Sequence, residues 1–338
     1  MVYNYEYDKQ TGRLSFVKHR YNKGDIVILA ENKYDELGRL KNVVRGKNTK
    51  LTDTYNYNVR SWMTRISNGL FADSLNYRLN GNISSMEWEV DKTKRSYTFA
   101  YDSISRLKSA SYKGIGSENY KTSYNYDKHG NIKKLMRYGK TSATAYGVVD
   151  NLTMTYTGNQ LIKVDETVPN VSLTESNDYK KNSTDAKGYS YNKNGAMTQD
   201  LNKKISSITY NSLNLPEKVV INNITHSYLY AADGRKLRVT QGSTNRDYSG
   251  NFIYENGSLK RILVEGGYIQ AGTYYFYLND HLGNVRVVAD KDGKVIQRNQ
   301  YYPFGLPMAE TTSAQQDVQP YKYNSKEFDW KDGLNLFD

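Results

Sequence analysis

The sequence predicts an all-β protein, an array of β-hairpins joined into one long, curled antiparallel sheet. Three observations lead there. The chain has 338 residues, 33 of them tyrosine. A short phrase built on tyrosine recurs along it and breaks each time at Asp, Asn or Gly. No stretch sustains the i, i+3, i+4, i+7 apolar spacing of a helix, so helices should be few.

The phrase reads aromatic, any residue, Tyr, Asp or Asn, polar residues, Gly, then Arg or Asn and an aliphatic. In chain order it appears as "YEYDKQTGRL" (Tyr5 to Leu14), "KYDELGRLKNV" (Lys33 to Val43), "LNYRLNGNIS" (Leu75 to Ser84) and "FAYDSISRLKS" (Phe99 to Ser109, its glycine replaced). It continues as "YNYDKHGNIKK" (Tyr124 to Lys134), "YSYNKNGAMT" (Tyr189 to Thr198), "YLYAADGRKLRV" (Tyr228 to Val239) and "YFYLNDHLGNVRVV" (Tyr275 to Val288). The central tyrosines recur mostly every ~20–25 residues, the mark of an array of small supersecondary units.

Each part of the phrase has a physical role. Tyr-x-Tyr sends both rings to one face of a strand. Asp or Asn favours turn entry, and Gly supplies the positive φ that tight hairpin turns need. The basic residue and aliphatic begin the return strand. One phrase is therefore one hairpin. A lone hairpin is marginal in water, so neighbours must pair edge to edge.

Composition supports a thin, tyrosine-walled sheet. Leu, Ile, Val and Phe make up only about a fifth of the chain, near the level typical of disorder. Tyrosine compensates, because each ring buries a large area while its hydroxyl finds a partner or water. The net charge of +12 is spread along the chain and interleaved with Asp, Asn and Tyr, so no nucleic-acid partner is expected. There are no cysteines, which excludes disulfides and thiolate chemistry. No apolar run approaches a membrane span. The opening "MVYNYEYDKQTGRL" is polar and strand-like, unlike a signal peptide. The segment 164–187, "VDETVPNVSLTESNDYKKNSTDAK", is the longest polar interruption and reads as a disordered insertion.

The last part of the chain holds the candidate site. "DHLGN" places Asp280 beside His281, with Gly283, Asn284 and Arg286 following. An Asp–His pair is a familiar acid–base arrangement. Adjacent strand residues face opposite sides, however, and these two fall where other copies place their turn. The expectation is structural: Asp280 caps the turn, His281 packs or bonds at its edge, and Gly283 supplies the positive φ. In "YYPFGLP", Pro303 cannot sit in a central ladder, so Tyr302, Pro303, Phe304 and Gly305 mark a break in the sheet, with Phe304 as an inward anchor. No G-x-S-x-G elbow or H-E-x-x-H is present, and His19, His129, His226 and His281 lack ligand spacing. "DKDG" (Asp290 to Gly293) lacks the closing Glu of a calcium loop and reads as a turn. "KGIGSEN" (Lys113 to Asn119) lacks the third glycine of a dinucleotide loop. No enzyme activity, cofactor or metal is expected.

The repeats resemble the YD (Rhs) repeats of bacterial Rhs proteins and animal teneurins, over nearly the whole chain. "DHLGNVRVVADKDGKV" (Asp280 to Val295), "YYPFG" (Tyr301 to Gly305) and "PYKYNSKEFDWKDGLNLFD" (Pro320 to Asp338) resemble the Rhs repeat-associated core region. Pro320, Tyr321, Lys326 and Glu327 carry the last block, in which Ser325 stands where glycine is common. The resemblance implies repeats over 1–268 and a core region over 269–338, incomplete at its C-terminus. It also implies a hollow shell enclosing a polymorphic toxin that this chain does not encode, with display at the cell surface or export by a secretion system. The partners would be the rest of the shell and its cargo. Self-cleavage that frees the toxin is associated in the family with a segment beyond "GLNLFD", so a truncated, non-cleaving fragment is expected. Its open edges would make the isolated chain self-associate. The alternative is a cell-surface carbohydrate-binding module, with exposed tyrosines stacking on glycans.

Overall fold

Each phrase forms one hairpin, and each hairpin pairs with its sequence neighbours. The computed structural model describes residues 1–182, 187–309 and 319–337. A 14-stranded antiparallel meander runs from β1 (Val2–Tyr7) through β14 (Gln160–Glu166) in strict chain order. A 13-stranded meander follows, from β15 (Tyr189–Tyr191) through β27 (Val295–Arg298). The short strands β28 (Phe328–Asp329) and β29 (Leu336–Phe337) pair with each other. Among the described residues the only helices are three single 3₁₀ turns.

The register is the same from hairpin to hairpin. The central tyrosine closes the first strand opposite the aliphatic that opens the return strand, as in Tyr34 with Leu40, Tyr57 with Met63, Tyr77 with Ile83 and Tyr101 with Leu107. A one-residue bulge accompanies each pair and increases the local twist. Gly38 and Gly130 take φ of +82° and +91° in their turns. Ser105, where the phrase lacks its glycine, adopts the same left-handed region at +66°.

Two side chains of the phrase then join one hairpin to the next. The phenol of Tyr34 donates to the Leu14 carbonyl at 2.9 Å, Tyr57 to Leu40 at 2.9 Å, Tyr77 to Met63 at 2.5 Å and Tyr101 to Ile83 at 2.8 Å. Tyr126 donates to Leu107 at 2.8 Å, Tyr156 to Ile132 at 3.0 Å, Tyr191 to Leu161 at 2.7 Å and Tyr210 to Met197 at 2.5 Å. In each case the acceptor is the aliphatic residue that faces the central tyrosine of the hairpin before, at the start of its return strand or one residue in. The basic residue just ahead of that aliphatic lies over the same ring in three copies, Arg13 over Tyr34, Arg39 over Tyr57 and Arg106 over Tyr126, and in a fourth Arg78, at the start of the preceding turn, lies over Tyr101, all at 4.7–5.6 Å. The repeat is thus written into both the ladder and a side-chain stitch across it.

Two expectations are corrected. The single continuous sheet is two sheets, because the insertion interrupts the ladder after Glu166. Among the described residues, the Gly188 amide, 3.0 Å from the Ile162 carbonyl, and the Tyr191 phenol, bonded to the Leu161 carbonyl, carry the pairing across. The insertion is also packed rather than loose over its described part; residues 183–186 lie outside the described residues. A 3₁₀ turn spans Thr174–Ser176, and Val171, Ser176 and Asp178 are buried. Arg137 pairs with Asp150 and donates to the Asn177 carbonyl at 2.7 Å, while the Val171 amide donates to Asp178 at 2.8 Å. Buried carboxylates, invisible to a composition argument, hold this segment down.

The largest core lies between the two sheets. It combines Val17, Leu29, Leu51, Phe71 and Trp88 of the first with Phe276, Leu278, Val287 and Ala289 of the second. Strand β26 (Val285–Asp290) is buried along Val285 to Ala289 on both faces, which accounts for its unbroken run of apolar residues and one arginine. Cross-sheet bonds fasten the rim, with Asn48 donating to the Lys291 carbonyl at 3.0 Å and Arg298 to Asp91 at 2.6 Å.

Candidate functional site

The "DHLGN" segment is the turn between β25 (Thr273–Asn279) and β26. The Asp280 amide donates to the Asn284 carbonyl and the Gly283 amide to the Asp280 carbonyl, both at 3.0 Å. Asp280 Oδ1 accepts from the Leu282 and Asn284 amides at 3.0 Å, and Oδ2 accepts from Asn284 Nδ2 at 2.9 Å. Asp127 makes the same three bonds with His129 and Asn131 in an ordinary repeat, at 2.8–2.9 Å. Gly283 has φ +80°. The stretch that looks catalytic in the sequence is built as a repeat turn.

The environment is what distinguishes it. Arg286, buried like Asp280, donates from Nε to Asp280 Oδ2 at 2.7 Å. Its guanidinium lies between the Trp88 and Tyr301 rings, 5.4 and 5.2 Å from their centroids. His281 turns the other way, and its Nδ1 lies 2.9 Å from Oδ2 of Asp73, a fully buried carboxylate on β7 (Phe71–Tyr77) of the first sheet. Asp280 and His281 therefore serve different partners. One fixes the turn and the other pins it to the opposite sheet.

The later motifs close around this turn. Asn284 Oδ1 accepts from the Asn324 amide at 2.9 Å, and the Lys322 carbonyl accepts from the Val285 amide at 2.9 Å. Glu327 pairs with Arg246 and accepts from the Tyr248 phenol at 2.8 Å. The Pro320 carbonyl accepts from the Phe328 amide at 2.9 Å, and Tyr321 packs against the Tyr268, Tyr277, Val285 and Val288 cluster. Lys326 contributes its backbone, with its side chain exposed. Ser325, in the position where glycine is common, sits at φ +56°.

The proline-bounded segment does break the sheet, with Gly305 at φ +89° and its amide donating to the Tyr302 carbonyl at 2.8 Å. The inward anchor, however, is Tyr302 and not Phe304. Tyr302 is buried and donates to the Tyr138 carbonyl of the first sheet at 2.8 Å. Phe304 is 55% exposed at the turn tip, edge-on to Tyr124 at 5.0 Å. The tip geometry after Pro303 points it outward, and Tyr302, two residues earlier, reaches the interior. Burial pushes the Tyr301 phenol well above the ordinary tyrosine range, so it stays a donor, bonded to the Val285 carbonyl at 2.8 Å.

Sequence reasoning missed three contacts. Asp73 receives His281, Gln300 receives the Trp88 indole N–H at 2.9 Å, and His226 lies 2.7 Å from Asp332. The signal for Asp73 and His226 is a polar residue on a strand's buried face, legible only once the sheets are stacked, whereas Gln300 and Asp332 lie outside the strands. Between the layers remains a cleft of about 510 Å³, walled by Phe99, Tyr101, Tyr126, Tyr301, Tyr302 and Phe304. Among the described residues no cluster of three or more His, Asp or Glu is placed to hold a metal. What the arrangement does chemically is brace two sheets with buried hydrogen-bonded charges.

A family model described as the teneurin YD-shell matches residues 1–318. No match is found among curated proteins. Of solved structures, the crystal structure of TcdB2-TccC3-Cdc42 superposes with a TM-score of 0.71 at 15% identity, over 98% of this chain and 18% of that one. The Photorhabdus luminescens Tc holotoxin pore with the TccC3-D651A mutation gives 0.70 at 16% identity, over 99% and 18%. TcdB2-TccC3 alone gives 0.71 at 15%, over 99% and 19%. The chain spans less than a fifth of the length of these structures, and at such identities the likeness is one of fold.

Proposed function

The chain belongs to the teneurin YD-shell family, and from that premise we propose that it is a wall segment of a hollow shell enclosing a polypeptide cargo. The observation that carries the reading is the hairpin-to-hairpin stitch. Eight phenol–carbonyl bonds run in chain order from Tyr34 to Tyr210 and cross the break between the sheets. Such a device makes an extensible wall, since each repeat needs only its neighbours. The rings serve the wall itself. Tyr97, Tyr120, Tyr124, Tyr268 and Tyr277 are buried, and among the described tyrosines only Tyr5 and Tyr7 are strongly exposed. A row of solvent-facing rings, which glycan stacking would use, is not what these positions form.

Residues 269–338 act in this reading as the core region, locked on the wall by His281, Arg286, Tyr302 and Glu327. The role is structural and non-enzymatic, since the one Asp–His neighbour pair is divided between two scaffolding tasks. Export or surface display follows from the shell role. Among the described residues no helix is long and apolar enough to cross a membrane.

The test is a protection assay on the complete protein that carries this segment, with a protease-sensitive reporter placed as cargo. The shell reading expects the reporter to resist protease until the wall is unfolded. Digestion at the rate of the free reporter contradicts it.

A further inference from the structure

The cleft between the layers is walled by rings whose polar ends are already spent. The phenols of Tyr101 and Tyr126 donate to the Ile83 and Leu107 carbonyls, and those of Tyr301 and Tyr302 to the Val285 and Tyr138 carbonyls, all at 2.8 Å. Arg106 gives its guanidinium to Asp102 and to the Asp127 carbonyl. Asp280 gives both carboxylate oxygens to its own turn and to Arg286. Arg286 Nη1 has no hydrogen-bond partner among the described residues, but it is sealed from solvent. What these groups leave to the cleft is ring surface. Phe304 and Leu282 line it as well and stay 55% and 52% exposed.

His281 lines the same cleft with a nitrogen to spare. Its Nδ1 is bonded to the buried Asp73 carboxylate, so in the neutral ring Nδ1 carries the hydrogen and Nε2 keeps its lone pair. Among the described residues Nε2 has no hydrogen-bond partner, while the side chain keeps 10% of its surface accessible.

We propose that the cleft binds a phenol or indole group, the ring lying against the aromatic walls and its O–H or N–H donating to His281 Nε2. The space of about 510 Å³ falls in the range of about 300–1,000 Å³ found for ligand clefts, which pair apolar walls with a few placed polar groups. Other ligand chemistries fit less well. A plain hydrocarbon ring leaves the imidazole unpaired. A carboxylate sets a second acceptor against the lone pair. A sugar brings several hydroxyls to walls whose phenols are committed, and each unpaired hydroxyl costs free energy. A ring with one donor satisfies both the walls and the imidazole, since aromatic pairs gain beyond their buried area. The site goes beyond the shell reading and does not rest on it. A free small phenol and a tyrosine or tryptophan side chain of a polypeptide carry the same recognised group.

The probes are p-cresol and 4-fluorotoluene, which has the same ring and nearly the same shape but no O–H to donate. Ligand-observed NMR on the 338-residue chain gives their affinities. The proposal expects saturable p-cresol binding at about millimolar or tighter, and 4-fluorotoluene about fivefold weaker, the weight of one hydrogen bond. Phe304→Ala removes one exposed wall without touching the core and should weaken p-cresol at least fivefold. The four histidines allow a direct reading by ¹⁵N NMR. His281 Nε2 should appear as the unprotonated nitrogen, and its resonance should move with p-cresol and not with 4-fluorotoluene. Acetyl-Gly-Tyr-Gly-amide separates the two sources. Binding of this peptide within fivefold of p-cresol supports a site for a polypeptide side chain, and binding of p-cresol alone supports a site for a small phenol. Equal affinity for the two probes, an unmoved His281 Nε2, or p-cresol binding untouched by Phe304→Ala would each overturn the proposal.

Discussion

Replacing Tyr101 by Phe removes one hydroxyl from the middle of the stitched wall and little else. The phenol donates to the Ile83 carbonyl at 2.8 Å, and the ring lies 5.2 Å from the Arg78 guanidinium, which itself donates to the Phe99 carbonyl at 3.1 Å. A phenylalanine keeps the ring burial and the cation contact, so the loss is that of one neutral hydrogen bond, about 1 kcal/mol. Tyr57→Phe removes the equivalent bond to Leu40 two hairpins away. The two sites share no partner, so their losses should add to about 2 kcal/mol. Tyr7→Phe is the internal control, because its phenol is exposed and should cost the isolated chain less than about 0.3 kcal/mol. Urea unfolding followed by Trp62 and Trp88 fluorescence measures all three, with an unchanged m-value as the check that only stability has moved. If Tyr101→Phe costs no more than Tyr7→Phe, the stitch does not hold the repeats together.

Other parts of the site respond in their own ways. His281→Ala leaves the buried Asp73 carboxylate without its imidazole and should cost roughly 3–5 kcal/mol, most of it recovered in the Asp73→Ala double variant; full additivity in urea unfolding would refute the clasp. Ser325→Gly relieves a left-handed backbone at φ +56° and should raise stability by about 0.5 kcal/mol; a loss instead would mean that the Ser325 hydroxyl bond to the Gly283 carbonyl, at 3.0 Å, outweighs the strain. Burial pushes the Asp102 carboxyl up, but the Arg106 amide and guanidinium bonds outweigh it and hold it below the ordinary range. A carboxyl depressed in the folded state adds stability above its unfolded value of about 3.9 and loses it as pH falls through the folded value. Asp102→Asn should therefore lower the urea midpoint at pH 7 and flatten its decline below pH ~4; an unchanged acid limb would refute the assignment.

The hairpins were legible because their information is local. Asp102 and Arg106, or Asp127 and Asn131, sit within one turn, and the turn chemistry needs nothing distant. The stitch was half legible. The recurring Tyr and the basic residue after the turn are plain in the phrase, but their meeting depends on a neighbouring hairpin about 20 residues away. The Asp280 turn followed from its likeness to the other turns. The His281 contact did not, because Asp73 lies in an otherwise ordinary strand, "FADSLNY", and nothing in either segment encodes the crossing of two sheets. The packed insertion escaped for a related reason. Its apolar content is low, and what orders it is the buried Arg137–Asp150 pair, together with Asp178, on which the Val171 amide closes. Phe304 was misread because a turn flanked by prolines fixes the backbone but not which of the aromatics on either side of Pro303 faces inward.

In the proposed shell the stitched sheets form a curved wall around an enclosed space. Electron cryomicroscopy of the complete protein containing this segment tests it most directly. The expected result is a closed shell one sheet thick over most of its surface, with residues 1–338 forming part of the wall and with separate density inside. A solid particle with no internal space would contradict it.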